Sequence, residues 1–442
     1  MSKTKPPPDS SNSPSNPANA AYTIAGNLRG ISAAAELRST RTIRTRANAL
    51  LARARRGESA WFTVNDGAMA TAAALVAEIT RARYPDLDIP YHSRWRHFEA
   101  GGIDRPGLLN AALASATPAG RARAQIDLAL ISVLLDAGAG ARWHYLEAAQ
   151  GEHPCSEYSR SEGLGVASFH AFMAGLFSSD PQQPLQADAL GLKAITADQL
   201  AKAFQVTPDN PLIGLEGRAA LLRRLGQALQ DQPALFGQRG RPGHLFEALV
   251  QPGQSAIEAH ELLSVLLTSL SAIWPAQNIL GTIPLGDCWQ HSAAGDGESE
   301  KAGPSQGWMP FHKLSQWLTY SLLEPFEWAG VQVNGLDALT GLPEYRNGGL
   351  FLDAGVLMLK DPAQADKLHA AGDELIVEWR ALTVALLDEL APLVREQLGL
   401  TAEQMPLACV LEGGTWAAGR ALAQQLHQGL PPLNIESDGT VF

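Results

Sequence analysis

The residues of this 442-residue chain that could do chemistry gather in short islands, where cations and aromatics interleave inside apolar surroundings. One island is Leu342-Pro343-Glu344-Tyr345-Arg346-Asn347-Gly348-Gly349. A proline before Glu344 and a glycine pair after it make a loop composition suited to presenting one carboxylate. Such a group can stabilise an oxocarbenium-like transition state, attack it, or activate water against it, as cleavage of a C–N glycosidic bond requires. A structural Glu344–Arg346 pair is the competing reading. In Trp308 to Trp317, helical spacing puts His312, Gln316 and Tyr320 on one face and Lys313 and Trp317 on another. Lys313, just past Pro310 at a helix start, can meet a phosphate as a point charge or lay its stem over Trp317. In Gly286 to His291, Asp287 beside Trp289 and His291 can handle a proton in a water-poor pocket, or simply hold a hydrogen-bonded turn. In Tyr91 to Phe98, the run Arg94, Trp95, Arg96, His97 suits stacking on a planar group or holding an anion, with a structural arginine cluster as the alternative.

Two further islands read as structural first. Arg142 to Tyr145 follows Asp136 and is joined by Arg160-Ser161-Glu162-Gly163, where Arg160 can pair with Glu162 and Ser161 can cap a helix beginning near Gly163. Glu216 and Arg218 read as an internal salt bridge, since a buried charge needs a partner.

The elements that must position these groups are mostly helices. Apolar residues recur at three- and four-residue steps in Ala68 to Arg83, Ala124 to Leu135, Ala256 to Trp274 and Gln364 to Gly399. Asn210-Pro211 reads as a helix start, and Gly413-Gly414 as a break before a last helix, Trp416 to Gln428. Strand signals are short: Thr23-Ile24, Trp61 to Val64, Val331 to Val333 and Val410-Leu411. Nothing alternates βαβ and no repeat recurs, so the expected class is mainly α. Residues 1–20, rich in Pro, Ser and Asn, are expected to be a disordered tail, and residues 21–442 a single helical domain. Within it, Asn27 to Arg56 carries eight arginines against Glu36 and reads as a basic helix docking on an acidic body, with Ile31, Leu37, Ile43 and Leu50 as its apolar side and an organelle transit peptide as the alternative.

Composition excludes several classes. Lys and Arg total 34 and Asp and Glu 45, a balance of −11 that argues against broad nucleic-acid binding. The longest apolar run, Ile126 to Ala141, contains Asp127 and Asp136 and is too short for a bilayer. Three cysteines make no disulfide framework, and with no secretory signal they suit the cytoplasm. Phosphate-loop, dinucleotide and zinc motifs are missing, so neither metal nor cofactor is expected.

At these islands two families are resembled. Tyr91 to Arg105, Asp136 to Tyr145, Arg160 to Gly165, Asn210 to Arg218 and Gly286 to His291 resemble the fungal and bacterial uracil-catabolism protein four family, a former domain of unknown function. That resemblance runs from about Leu37 to Gln428. More narrowly, Phe311 to Gln316, Leu339 to Arg346 and Glu378-Trp379-Arg380-Ala381 follow the order of motifs in the queuosine-nucleotide N-glycosidases. These are helical and resemble helix-hairpin-helix DNA glycosylases. In that family's pattern a Lys holds the 5′-phosphate and an Asp acts at the anomeric carbon, which here implies Lys313 and Glu344. Glu344 stands where that family has Asp, and Ser321 where it often has another Asp.

Together the resemblances imply an N-glycosidase of uracil catabolism. Its substrate would be a ribosylurea 5′-phosphate or a related ring-opened uridine nucleotide, and it would release urea. Glu344 would act at the sugar, and Asp287 or His312 would assist proton transfer. Lys313 with Arg94 or Arg96 would hold phosphate, while Trp95, Trp289 or Trp317 would line the urea pocket. His97, Gln316, Tyr345 and Arg346 would complete substrate binding. The alternatives are a non-catalytic pyrimidine-nucleotide-binding protein or scaffold for a pathway enzyme, and a nucleic-acid glycosylase, which the −11 balance opposes.

Overall fold

Helical periodicity governs the architecture. The computed structural model describes residues 30–149, 153–274, 278–295 and 303–436. The expected tail, the Thr23-Ile24 strand, and residues 296–302 of the polar loop lie outside the described residues. The helices that build the body are α1 (Thr40–Arg55), α2 (Met69–Arg83), α3 (Pro118–Leu134), α4 (Arg160–Met173), α5 (Leu215–Gln230), α6 (Ala259–Ser269), α7 (Lys313–Trp328), α8 (Tyr345–Asp353), α9 (Glu374–Leu398) and α10 (Trp416–His427). The mainly α class is the observed one.

Local chemistry sets several helix starts. Pro118 occupies the first position of α3 and the Thr117 hydroxyl accepts from Gly120 N at 3.1 Å, meeting one of the donors every helix start leaves open. The strands are short and pair only in twos, in six ribbons among the described residues. Phe62–Val64 runs antiparallel to Leu357–Leu359, and Gln332–Asn334 runs parallel to Ala256–Glu258. The strands expected at Trp61 to Val64 and Val331 to Val333 fall within a residue of these.

The 25-residue α9 is the spine, about 38 Å long at 1.5 Å per residue. It is buried along most of its length, with α1, α2 and α8 packed on it. One contiguous apolar core extends from Ile43 to Leu433. The arginine-rich segment docks by both apolar and charged contacts. Ile43, Ala47 and Leu50 are buried, while Arg44 reaches Asp388 at 2.8 Å and Arg55 reaches Glu389 at 2.6 Å, both acids of α9. A smaller cluster of Ala34, Leu37, Leu285, Cys288 and Trp308 seats the helical residues 30–37 on the ribbon of Cys288–Gln290 and Trp308–Pro310.

Six local expectations are corrected. Asn210 caps no helix, because its side chain bonds the backbone N and O of His144 at 2.9 and 2.8 Å; the helix begins at Leu215. Val410-Leu411 is helical, and Gly413-Gly414 does not break the chain. Leu407–Val410 passes into a π-helical turn, Leu411–Thr415, that leads directly into α10. Gln364 to Asp373 precedes α9 rather than belonging to it, and Ala256–Glu258 is strand. Arg218 does not pair with Glu216. Its guanidinium bonds the carbonyls of Leu135 and Ala137 at 3.1 and 2.8 Å, while Glu216 meets Arg223 at 2.7 Å. No described helix is long and apolar enough to cross a membrane.

The tightest helix contact is α8 on α10. A Cβ added at Gly419 would lie 2.0 Å from the backbone oxygen of Arg346. Alanine normally favours a helix over glycine by about 1 kcal/mol. At this position the sign reverses, and Gly419→Ala should cost about 1–3 kcal/mol in urea unfolding. Gly217→Ala, on α5 with open space around it, is the control and should stabilise by up to ~1 kcal/mol.

Candidate functional site

Seven parts of the chain converge on a cleft of about 530 Å³, a volume typical of small-molecule sites. Its walls are Arg83 at the end of α2, the segment from His92 to Gly101, and the loop Asp136–Ala141 after α3. The start of α4, the first turn of α7, Leu342 to Tyr345 and the pair Glu412 and Trp416 complete it.

Glu344 is the N-cap of α8. Its Oε2 accepts from Arg346 N at 2.7 Å and its Oε1 from Asn347 N at 2.6 Å. A carboxylate has about four acceptor positions, so two backbone donors leave capacity for the cleft. Asp, Asn or Ser is the commoner cap. Glu here reaches back over one more methylene and still meets both amides. Enclosure by protein pushes its pKa up, while the two amides and the nearby Lys313 charge oppose that; the net direction is upward. The Glu344–Arg346 side-chain pair is absent, since the Arg346 guanidinium lies 4.8 Å from the centre of the Tyr345 ring and bonds Gly429 O at 3.2 Å.

Lys313 opens α7 and borders the same cleft. Burial and the Arg380 charge lower its pKa, and Glu344 counters them. Its backbone N–H donates to Asp287 Oδ2 at 2.9 Å.

Asp287 does not line the cleft. Its Oδ1 accepts from Arg380 Nη1 at 2.8 Å and Trp289 Nε1 at 2.7 Å, and its Oδ2 from Arg380 Nη2 at 2.8 Å as well as from Lys313 N. Burial alone would raise its pKa. The Arg380 charge, its paired hydrogen bonds and the other donors outweigh burial and hold the carboxyl well below the usual range. With its acceptor positions filled, Asp287 positions Lys313 and has no free lone pair with which to move a proton. His312 is likewise withdrawn. It is buried, its Nε2 donates to Leu37 O at 2.9 Å, and burial lowers its pKa.

Other expected contacts sit behind the wall. Trp95 is in the core, donating to Ser321 O at 2.9 Å and packing edge-on to Phe98 and Trp328, so it cannot line a urea pocket. Trp289 donates to Asp287, and Gln316, fully buried, accepts from Thr340 N at 3.3 Å. Arg346 is buried and not among the cleft residues. Arg94 is buried and braces the wall, bonding Ser132 Oγ at 2.6 Å, Ser161 O at 3.1 Å and Asp136 at 3.3 Å. Ser321, at the position where an Asp was the family expectation, accepts from Arg94 N at 2.9 Å.

The expected residues that do meet in the cleft are Arg96, His97, Lys313, Trp317, Glu344 and Tyr345. Arg96 pairs with Glu324 at 2.8 Å and Glu99 at 3.2 Å. Burial, with the Arg94 charge added, pushes His97 down to about 3, so its ring is neutral at ordinary pH; it stands edge-on to Trp317. Sequence reasoning missed His92, Arg83, Asp136, Arg160, Glu412 and Trp416 as cleft residues. His92, Asp136 and Arg160 lay in islands already singled out. Arg160 does not pair with Glu162, which meets Arg420 at 3.7 Å, and Ser161 donates to Asp136 Oδ2 at 3.1 Å instead of capping. Glu412 gave no signal, because its partners Arg83 and His92 are over 300 residues away. Among the described residues no group of three His, Cys, Asp or Glu is placed to hold a metal.

Fold and cleft together define a mainly α protein with a small-molecule-sized cleft lined by charged and aromatic side chains. The chain belongs to the family described as "Protein of unknown function (DUF1688)", which matches residues 36–442. It is 38% identical to protein urg3 of Schizosaccharomyces pombe, over 92% of this chain and 98% of that one. It is also 38% identical to uracil catabolism protein 4 of Lachancea kluyveri, over 80% of this chain and 85% of that one.

Asp287→Asn would leave Arg380 buried without its counter-charge, a loss of about 3–5 kcal/mol at pH 7. The folded-state pKa of Asp287 is depressed, so its stabilisation is full above the unfolded value near ~3.9 and fades as pH falls through the folded one. The stability gap between native protein and variant, read by urea unfolding, should therefore be constant from pH 5 to pH 8 and shrink below about pH 4.

Proposed function

We propose that this protein is a cytoplasmic N-glycosidase of uracil catabolism. It cleaves the C–N bond of a ribosylurea 5′-phosphate-like ring-opened uridine nucleotide, releasing urea and ribose phosphate. The observation that carries this reading is the meeting of Glu344 and Lys313 in one cleft, each within electrostatic reach of the other. The names of the two relatives support the pathway.

The parts work as follows. Lys313, a cation on a helix start fixed by Asp287, holds the phosphate. Trp317 and Tyr345 exclude water around the sugar and the flat urea group. Glu344, fixed by two amides at the N-terminus of α8, faces the anomeric carbon and balances the positive charge that grows there as the bond lengthens. A pre-placed carboxylate needs no reorganisation at that moment.

A binding-only reading draws on the same cap, since both Glu344 oxygens already serve α8. Incubation with enzymatically ring-opened uridine monophosphate separates the two. Urea and ribose 5-phosphate should appear by mass spectrometry, whereas tight binding with no product over hours would establish the binding-only reading. Glu344→Gln should lower kcat at least ~100-fold with a stability loss of only about 1 kcal/mol. Lys313→Met should act mainly on KM. Because the Glu344 pKa is raised and the carboxylate is the working form, kcat/KM should rise with pH through a limb lying above the ordinary Glu value of about 4.3.

A further inference from the structure

His92 borders the cleft with one ring nitrogen fixed and the other unengaged. Its Nδ1 donates to Glu412 Oε2 at 2.8 Å, while Nε2 has no hydrogen-bond partner among the described residues. Glu412 is 6% exposed and is itself held, by Arg83 at 2.7 Å and by the Tyr84 hydroxyl at 3.0 Å. Burial alone would raise the Glu412 pKa, but the hydrogen bond and charge of His92, together with Arg83, bring it down to about 2. A carboxylate so fixed orients the ring and leaves Nε2 as the atom that faces a ligand.

The backbone around Glu412 is shaped for this contact. Glu412 lies in the π-helical turn Leu411–Thr415, a geometry frequent at functional sites. A Cβ at Gly414 would sit 2.4 Å from Val76 O, so the turn lies directly against α2, whose last turn supplies Arg83. His92 N bonds Ala408 O at 3.0 Å, tying the two segments together from the other side.

The position of His92 complements Glu344. The two are within electrostatic reach, in the cleft that also contains Lys313 and Arg96. The other cleft histidine, His97, is kept neutral by its enclosure and can donate no second proton.

We propose that His92 is the catalytic acid of the C–N cleavage, with Glu412 as its positioning residue; this rests on the N-glycosidase reading above. As the C1′–N bond breaks, its electron pair stays on the urea nitrogen, which takes the Nε2 proton of His92. The oxygen of one water bonds to C1′ and releases a proton to Glu344 and then to solvent, and His92 regains its proton from solvent. One water is consumed and one urea leaves.

The test compares two leaving groups on the full-length protein. Urea needs protonation to depart, whereas 4-nitrophenolate does not. His92→Asn should lose at least ~100-fold in kcat on ribosylurea 5′-phosphate and less than about threefold on 4-nitrophenyl riboside 5-phosphate. Glu412→Gln should show the same leaving-group dependence to a smaller extent, and His92→Gly should regain urea release with added imidazole. Circular dichroism checks that the variants fold, and His92→Gln stands in should His92→Asn fail to. Equal losses on both substrates, or no loss on either, would overturn the assignment of His92 while leaving the glycosidase intact. A native protein that turns over neither compound would overturn the glycosidase and the assignment with it.

Discussion

The double hydrogen bond between Asp287 and Arg380 is the interaction on which the site depends. It joins the ribbon at Cys288–Gln290 to the spine α9, and the same carboxylate receives the first amide of α7. The carboxylate offsets the cost of burying a guanidinium that lies 4.0 Å from the centre of the Phe311 ring. Because Arg380 also donates to Pro343 O, beside Glu344, one ion pair aligns the starts of α7 and α8. Lys313 and Glu344 are thereby held in one cleft by an ion pair that does not itself line it.

Charges of both signs line the cleft. Acids and bases alternate around it, and most are already paired: Arg96 with Glu324, Arg83 with Glu412, Asp136 with Arg94. Such a wall keeps its charges in fixed places at little cost in reorganisation.

Much of the helical frame was legible, because long amphipathic periods dominate short-range ambiguity; Met69–Arg83 and Trp416–His427 fall within a residue or so of their sequence boundaries. The short strand and cap signals fared worse, since Val410-Leu411 and Asn210 are decided by tertiary partners. At the site, a dense polar-aromatic island marks a place where charges are buried, but composition cannot say which side of a wall a residue faces. Trp95 and Trp317 look alike in sequence; one is core and the other cleft. Asp287 was open to two readings in sequence, proton handling or a hydrogen-bonded turn, and its partner Arg380, 93 positions away, was not legible.

The π-helical turn also sets a phase. It holds one residue more than an α turn would, so everything after it is rotated by about 100° relative to an uninterrupted α-helix. The faces that α10 turns toward α8, through Gly419, and toward the cleft, through Trp416, both follow from that single extra residue. A substitution in Leu411–Thr415 acts at one side chain, whereas a change of length there would re-aim the whole of α10. The segment therefore acts as a spacer whose residue count is constrained alongside its composition, since Glu412 holds His92 and Gly414 lies against Val76 O.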